Sequence, residues 1–243
     1  MAENRFNLID EPWIPIVDVG RVSLRQLFCN PEYRALGGNP VQKIALTKLL
    51  LAIAQSAYTP ADDAAWASLQ PSGLAEKCLT YLGKWHDRFY LFGDKPFLQM
   101  SAIKVATIQA FGAVLPEVST GNTTVMTQSQ IERPMGDADK ALLIVQLMGF
   151  GLGGKKTDNS VVLTAGYHGK LNDKGKPSTG KPGTSLGFLG FLHNFLQGNS
   201  LVQTLWLNVV TQEQVNMLNI YTRGMGTAPW EQMPTGEQCT VAN

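Results

Sequence analysis

Hydrophobic positions recur at helical spacing in three long segments of this chain. The segment 41–57 is apolar nearly all round, and Asn39 with Pro40 supplies an N-cap and first-turn pair, which predicts a buried core helix. Apolar residues spaced through 74–89 predict a second, amphipathic helix. A third helix is predicted over 138–148, after an aspartate cap and before a glycine that ends it.

Shorter patterns surround these helices. The segment 6–19 alternates imperfectly and contains two prolines, which favours an edge strand or an extended arm. A capping-box pattern opens a short helix over 23–28 and recurs at 211–214. A strand is predicted over 188–196 and a helix over 199–210. Helices and strands mix without regular alternation, so the predicted fold class is α+β, irregular and with long loops.

Composition narrows the class of protein. The 243 residues are 44% hydrophobic and 16% charged, as in a globular protein with a sizeable core, whether one large domain or two small ones. The longest apolar run, 49–54, is too short to span a membrane, and the N-terminus lacks signal-peptide features. Three widely spaced cysteines favour a reducing compartment, hence the cytoplasm, over disulfides or structural zinc. Three histidines leave little room for metal chemistry, and no cofactor is expected.

One tract, 149–187, differs from the rest of the chain. Its 39 residues hold ten of the 24 glycines and six lysines against two acids, so its charge is +4 while the whole chain carries only +1. Glycine lets a backbone approach phosphate closely, and lysine neutralises it. The tract therefore predicts a polyanion partner, although a solvated, idle loop has the same composition.

Three short motifs inside the tract suggest enzymes, but their contexts do not fit. Gly149, Gly151 and Gly154 match the dinucleotide pattern, yet a helix precedes them where a strand is required. The phosphate-loop spacing is nearly met, but Lys156 stands where Ser or Thr must bind magnesium. The segment 183–187 matches a nucleophile elbow without the strand before it or the acid and histidine order after it.

Two further segments have both a functional and a structural interpretation. The polar loop 121–136 is suited to neutral hydrogen bonds with bases or backbone, or is an ordinary long surface loop. The aromatic residues between 85 and 97 either stack on bases or belong to the core, and their spacing favours the core. The carboxylates are scattered and show no obvious catalytic pair.

Several segments then follow one another in a recognisable order. The chain opens with Phe-Asn-Leu-Ile-Asp-Glu-Pro-Trp-Ile-Pro at 6–15. The later segments are Asp-Arg-Phe at 87–89, Pro-Phe-Leu-Gln at 96–99, Gly-Asn-Thr-Thr at 121–124, Phe-Gly-Leu-Gly-Gly at 150–154, the stretch 192–208 ending in Leu-x-Leu-Asn, and Pro-Trp-Glu at 229–231. As an ordered set, they resemble the large subunit of the type I-E CRISPR surveillance complex Cascade, the CasA family.

The resemblance implies a subunit that is not an enzyme. Such a subunit is expected to recognise a protospacer-adjacent motif on double-stranded DNA, to help open the duplex and to recruit a separate helicase-nuclease. Guide pairing would supply the remaining sequence specificity. The implied partners are guide RNA, double-stranded target DNA, the other Cascade subunits and the helicase-nuclease, with no membrane.

The resemblance also implies particular site residues. The family's motif-reading loop falls on Gly151, Leu152, Gly153 and Gly154. Phosphate contacts would come from Lys155 and Lys156 beside the loop, and less specifically from Lys170, Lys174, Lys176 and Lys181. The loop that meets the 5′ handle of the guide RNA falls on Asn122, Val125, Met126, Thr127 and Gln128. Val125 stands where some relatives carry an aromatic residue.

We expect residues 1–243 to form a single N-terminal domain of that subunit, with a mobile loop at about 166–184 and a tail at 224–243. Family members are expected to continue into a C-terminal helical bundle that opens DNA, so we expect this chain alone not to do so. Two other hypotheses stay open on the residues alone. One is an enzyme that hydrolyses a nucleotide or ester at the glycine-rich loop, and the other is a purely structural assembly subunit.

Overall fold

The computed structural model describes residues 3–99, 134–149, 173–175, 193–218 and 224–232. Their strands are β1 (Arg5–Asn7), β2 (Ile14–Ile16), β3 (Gly20–Val22) and β4 (Tyr90–Phe92). Their helices are α1 (Leu24–Cys29), α2 (Pro40–Ala57), α3 (Asp63–Lys84), α4 (Asp137–Gly149), α5 (Leu201–Asn208) and α6 (Gln212–Met217). Helices packed with small sheets confirm the predicted α+β class.

Local capping explains where several helices begin. The side chains of Ser23, Asn39 and Thr211 each accept a hydrogen bond from the backbone of the third helical residue, whose glutamine side chain bonds back to the cap. These capping boxes satisfy backbone N–H groups that would otherwise lack partners. The predicted starts of α1, α2 and α6 are therefore confirmed, to within one residue.

The core forms where α2 packs against α3, α4 and α5, with α1 on α3. Leu46, Leu50 and Ile53 of α2 are at most 1% exposed, which confirms the predicted core helix. Trp13 is fully buried, and its Nε1 donates to the Leu8 carbonyl oxygen at 2.9 Å. The N-terminal segment is thus part of the same core rather than a detached arm.

Two small antiparallel sheets border this core. Strand β1 pairs with β4, with Arg5 opposite Phe92, and β2 pairs with β3 as a hairpin. An isolated bridge joins Ile16 to Leu36. The segment 6–19 therefore holds two short strands where one strand or an arm was predicted.

Two helix boundaries differ from the sequence predictions. Helix α3 begins eleven residues earlier than predicted, at Asp63, and contains a kink at Gln70, whose φ is 54°, just before Pro71. Proline clashes with the preceding turn, which accounts for the break. The cap of α5 is Ser200 rather than its neighbour Asn199.

The strand predicted over 188–196 is wrong for its described part, 193–196, which has no strand. The Asn208 side chain instead hydrogen-bonds both the N–H and the carbonyl oxygen of Leu196, at 2.9 and 2.7 Å. An amide side chain can satisfy both polar groups of an extended residue, so no partner strand is required. The rest of that prediction lies outside the described residues.

Candidate nucleic-acid interface

Most of the predicted site lies outside the described residues. This holds for the motif-reading loop Gly151, Leu152, Gly153 and Gly154, for Lys155, Lys156, Lys170, Lys176 and Lys181, and for the guide RNA loop Asn122, Val125, Met126, Thr127 and Gln128. Lys174 is described, and it lies exposed in a turn with Asp173 and Gly175. Gly175 has a φ of +68°, and a Cβ there would meet nothing within 4 Å.

The structure does describe the helix from which the glycine loop departs. Helix α4 buries Leu142, Val145 and Gly149 on the side that packs against α2, while Met148 is 47% exposed. Gly149 is the last described residue before the loop, and it is buried. The first glycine of the tract is therefore held in the body of the protein.

Gln146 is an unusual residue one turn before that point. Its side chain is only 2% exposed, and its Nε2 has no hydrogen-bond partner within the described part of the chain. A buried donor without a partner typically costs about 1–3 kcal/mol. The sequence did signal this residue, because it is the one polar side chain in the run Leu-Leu-Ile-Val-Gln-Leu-Met, but periodicity alone assigned it to an ordinary helix.

The opposite end of α4 is fixed by charge. Arg5 and Lys140 pair with Asp137, and Arg21 pairs with Asp139. Acids in the first turn also interact favourably with the positive end of the helix dipole. Arg5 and Arg21 therefore link α4 to β1 and β3, and Lys140 pairs within α4. We do not count these three cations among the candidate DNA contacts.

Polar residues of the opening motif have structural partners. The buried Asn7 side chain accepts from the N–H of Ile9 and donates to the carbonyl oxygen of His86, at 2.9 and 3.0 Å. His86 Nε2 lies 2.6 Å from Asp10 Oδ2, and Arg25 donates to the other carboxylate oxygen at 2.9 Å. Burial raises the pKa of Asp10, but the hydrogen bonds from His86 and Arg25 outweigh it and hold that pKa below its usual value.

Within the described part of the chain, neither His86 nor Cys78 belongs to a nucleophilic site. Among the described residues, the side chains that hydrogen-bond to the His86 ring are those of Asp10 and Asn7, and neither carries a hydroxyl or a thiol. Cys78 is fully buried, and burial raises the pKa of its thiol to about 12, so it stays protonated near neutral pH. A thiolate is the reactive form of cysteine.

The aromatic residues at 85–97 belong mainly to the core. Phe89 and Phe97 are at most 1% exposed and stack on each other with ring centroids 4.8 Å apart. Phe92 is half-buried, and the guanidinium of Arg5 lies 4.2 Å from its ring centroid. The core interpretation is confirmed for Phe89 and Phe97, which are not available to stack on bases.

Nearly the whole chain matches a known protein family. A family model described as CRISPR-associated protein Cse1 matches residues 7–242. The chain belongs to the Cse1 family. The resemblance to the CasA family drawn from the ordered motifs is thereby confirmed, since CasA and Cse1 are given as alternative names of one relative.

That Cse1 relative is CRISPR-associated protein CasA/Cse1 of Thermus thermophilus, which is 30% identical over 158 residues, or 58% of this chain and 31% of the relative. The structure of Thermobifida fusca Cse1 is 26% identical with a TM-score of 0.66, covering 96% of this chain and 43% of that one. A chain of a CRISPR RNA-guided surveillance complex shares the fold at 17% identity and a TM-score of 0.52, over 63% of this chain and 36% of that one. The chain thus spans less than half the length of these Cse1 proteins.

Among the described residues, no helix has both the length and the apolar character that crossing a membrane requires.

Proposed function

We propose that this Cse1-family chain is part of the large subunit of a CRISPR Cascade complex and that it recognises the protospacer-adjacent motif on double-stranded DNA. In this role it is not an enzyme, and it acts in the cytoplasm. It contacts the 5′ handle of the guide RNA and other Cascade subunits, and it takes part in target binding and in recruitment of a helicase-nuclease. The observation that carries the proposal is the family match over nearly the whole chain.

The proposed motif reader is the loop Gly151–Gly154. The minor groove of B-DNA is only about 6 Å wide, so a backbone with few side chains is well suited to reach the base edges there. The buried end of α4 supports this assignment, because it fixes the point from which the loop starts. A reader that begins at a rigid helix end loses less conformational freedom on binding than one within a long, free loop.

The proposed phosphate contacts are the lysines of the same tract. Lys155 and Lys156 follow the glycines directly, and Lys170, Lys174, Lys176 and Lys181 would add a less specific attraction. The exposed position of Lys174 agrees with that role. Since the tract carries +4 and the rest of the chain −3, the attraction to DNA would be concentrated in the tract.

The proposed guide RNA contact is the polar loop with Asn122, Val125, Met126, Thr127 and Gln128. Its hydroxyl and amide groups can bond to RNA without added charge. The solved surveillance complex supports an assembly role, because one of its chains has this fold.

The salt dependence of duplex binding tests whether the lysine tract meets phosphate. If four to six lysines do so, log affinity should fall with log salt at a slope of roughly −4 to −5. Changing Lys155→Gln and Lys156→Gln together should make the slope shallower by about 1.8, because each lost contact to B-DNA removes about 0.9. Fluorescence anisotropy with a labelled duplex, titrated at several salt concentrations, gives both slopes.

The matched control changes two lysines of α3, Lys77→Gln and Lys84→Gln, whose ammonium groups lie over the rings of Tyr58 and Trp85. This control removes the same charge and should leave the slope within about 0.5 of the wild-type value. Equal slopes for both double variants would contradict the tract as the phosphate-binding element. Weak binding with no salt slope would favour a purely structural subunit.

A further inference from the structure

A second polar cleft lies away from the end of α4. Its volume is about 480 Å³, within the roughly 300–1,000 Å³ of typical ligand pockets. The α1–α2 connection forms one wall, the first turns of α2 a second, and the segment 193–197 with α5 a third. The largely buried side chains of Leu36 and Leu201 also line it.

The charge of this cleft is positive. Arg34 and Lys43 line it, and Lys48 lies over the ring of Phe195, another lining residue. All three cations are exposed, and none of them pairs with a carboxylate within the described part of the chain. The described lining residues include no Asp or Glu. Unneutralised cations that meet at one concave surface attract an anion.

Backbone hydrogen bonds hold Arg34 in place. The carbonyl oxygen of Tyr33 accepts from the N–H of Leu201 at 2.8 Å, and that of Ala35 accepts from the N–H of Val17 at 3.0 Å. Both neighbours of Arg34 are therefore fixed to other elements. A cation on a fixed backbone needs less ordering when a ligand binds.

The facing wall is equally constrained. The N–H of Leu196 donates to Asn208 Oδ1 at 2.9 Å, and Asn208 Nδ2 donates to the carbonyl oxygen of Leu196 at 2.7 Å. The N–H of Gly198 donates to Thr204 Oγ1 at 3.0 Å, and the N–H of Asn199 donates to Gln203 Oε1 at 2.7 Å. The backbone that follows Phe195 is thus held by α5, and Lys48 Nζ lies 5.2 Å from the Phe195 ring centroid.

An aromatic ring beside several cations fits a nucleotide better than a simple anion. The phosphate would be neutralised by Arg34 and Lys43, and the base would stack on Phe195. We propose that the cleft between the α1–α2 connection, α2 and the segment 193–197 binds a nucleotide, with Arg34 and Lys43 on its phosphate and Phe195 on its base. This site uses none of the residues of the glycine loop. The proposal for the cleft therefore does not depend on whether that loop recognises the motif.

The phosphate has two chemical sources, a single strand of nucleic acid or a free nucleotide, and one experiment separates them. A short, labelled single-stranded RNA is titrated into the full chain and followed by fluorescence anisotropy. Unlabelled nucleoside monophosphate and the matching nucleoside are then added as competitors. Displacement by the monophosphate at concentrations near those of the RNA identifies a free-nucleotide site, whereas displacement only by unlabelled RNA identifies a strand site.

The variants Arg34→Gln and Lys43→Gln should each weaken binding by about ten-fold, since each removes a charge-assisted hydrogen bond. For the RNA, each should also make the salt slope shallower by about 0.7. Phe195→Leu should weaken binding by about five-fold or more through lost stacking. Arg34 and Lys43 are exposed, so their variants should fold normally, which a thermal melt checks.

The control is Lys77→Gln, which removes one lysine charge beside Tyr58, about 22 Å along α2 from Lys43. It should bind within two-fold of wild type. Wild-type affinity in Arg34→Gln and Lys43→Gln would overturn the proposal, as would displacement of the RNA by the nucleoside at the same concentrations as by the nucleoside monophosphate. A Gly153→Val chain, assayed in parallel, should bind single-stranded RNA with wild-type affinity, because Gly153 is not part of the cleft. The nucleotide proposal can therefore hold even if the glycine loop does not read the motif.

Discussion

Replacing Trp230 by alanine is expected to lower the free energy of unfolding by about 3–5 kcal/mol, the usual cost of removing a large buried aromatic side chain. Trp230 is 4% exposed, and its ring centroid lies 5.8 Å from that of Phe89 and 5.9 Å from that of Phe97. Its Nε1 donates to the Tyr81 hydroxyl at 2.6 Å. The substitution would leave a cavity and an incompletely bonded hydroxyl in the same place.

The Tyr81 hydroxyl hydrogen-bonds both Trp230 and the next residue, Glu231. Its hydroxyl donates to the Glu231 carboxylate, and burial together with that hydrogen bond raises the pKa of Tyr81 above its usual range. Tyr81 therefore keeps its proton at neutral pH and remains a donor to Glu231. Through Tyr81, both Trp230 and Glu231 attach the described part of the predicted tail, 224–232, to α3.

Chemical denaturation measures the effect, with Trp230→Phe as the matched variant. Phenylalanine keeps much of the ring stacking and loses the hydrogen bond, so we expect a smaller loss of about 1–2 kcal/mol. A loss below about 0.5 kcal/mol for Trp230→Ala would show that the segment 224–232 contributes nothing to the core. It would contradict the packing described above.

The second large effect is expected at the pair Trp66 and Trp206, which joins α3 to α5. The two rings stack with centroids 4.1 Å apart and an interplanar angle of 9°. Each indole N–H donates to the backbone carbonyl oxygen of the other tryptophan, at 2.9 and 3.1 Å. Because both side chains are half-buried rather than fully buried, we expect either alanine variant to cost about 3 kcal/mol.

A double-mutant cycle isolates the interaction between the two residues. The loss in the double variant should be smaller than the sum of the single losses by about 1–2 kcal/mol, since the stacking and the reciprocal bonds can be lost only once. Trp206→Phe separates stacking from hydrogen bonding. Additive losses within about 0.3 kcal/mol would mean that the pair does not couple the helices.

Local signals explain most of the correct fold predictions. The starts of α1, α2 and α6 depend on side chains three residues apart, so the sequence contains everything that fixes them. The start of α3 was missed because the kink at Gln70 interrupts the apolar period. The strand predicted at 188–196 fails in its described part because the Asn208 side chain, which lies in α5, provides the hydrogen bonds to Leu196.

The two candidate sites differ in how far the sequence could reveal them. The glycine loop is contiguous, so composition and family resemblance were enough to propose it. The nucleotide cleft combines Arg34, Lys43 and Phe195, which no spacing rule connects. Only the packing of α2, α5 and the α1–α2 connection brings these residues together, so this site required the structure.

We propose that the backbone at Gly153 and Gly154 reads the motif. The relevant complex contains the chain, the guide RNA and the partner subunits. We expect its affinity for DNA with a preferred motif to exceed its affinity for DNA with an altered motif by about ten-fold or more, since one mismatched base pair typically costs about 1–3 kcal/mol. Gly153→Val and Gly154→Val would each place a branched side chain where the proposal requires bare backbone. The control Gly83→Val adds the same bulk at an exposed position of α3, where a Cβ meets nothing within 4 Å.

The most direct measurement is the ratio of affinities for preferred and altered motifs in these three variants, obtained by competition with duplexes that share one guide-matched sequence. The proposal predicts a ratio near one for Gly153→Val and Gly154→Val, and a wild-type ratio for Gly83→Val. A wild-type ratio in both loop variants would contradict motif reading by the glycine loop.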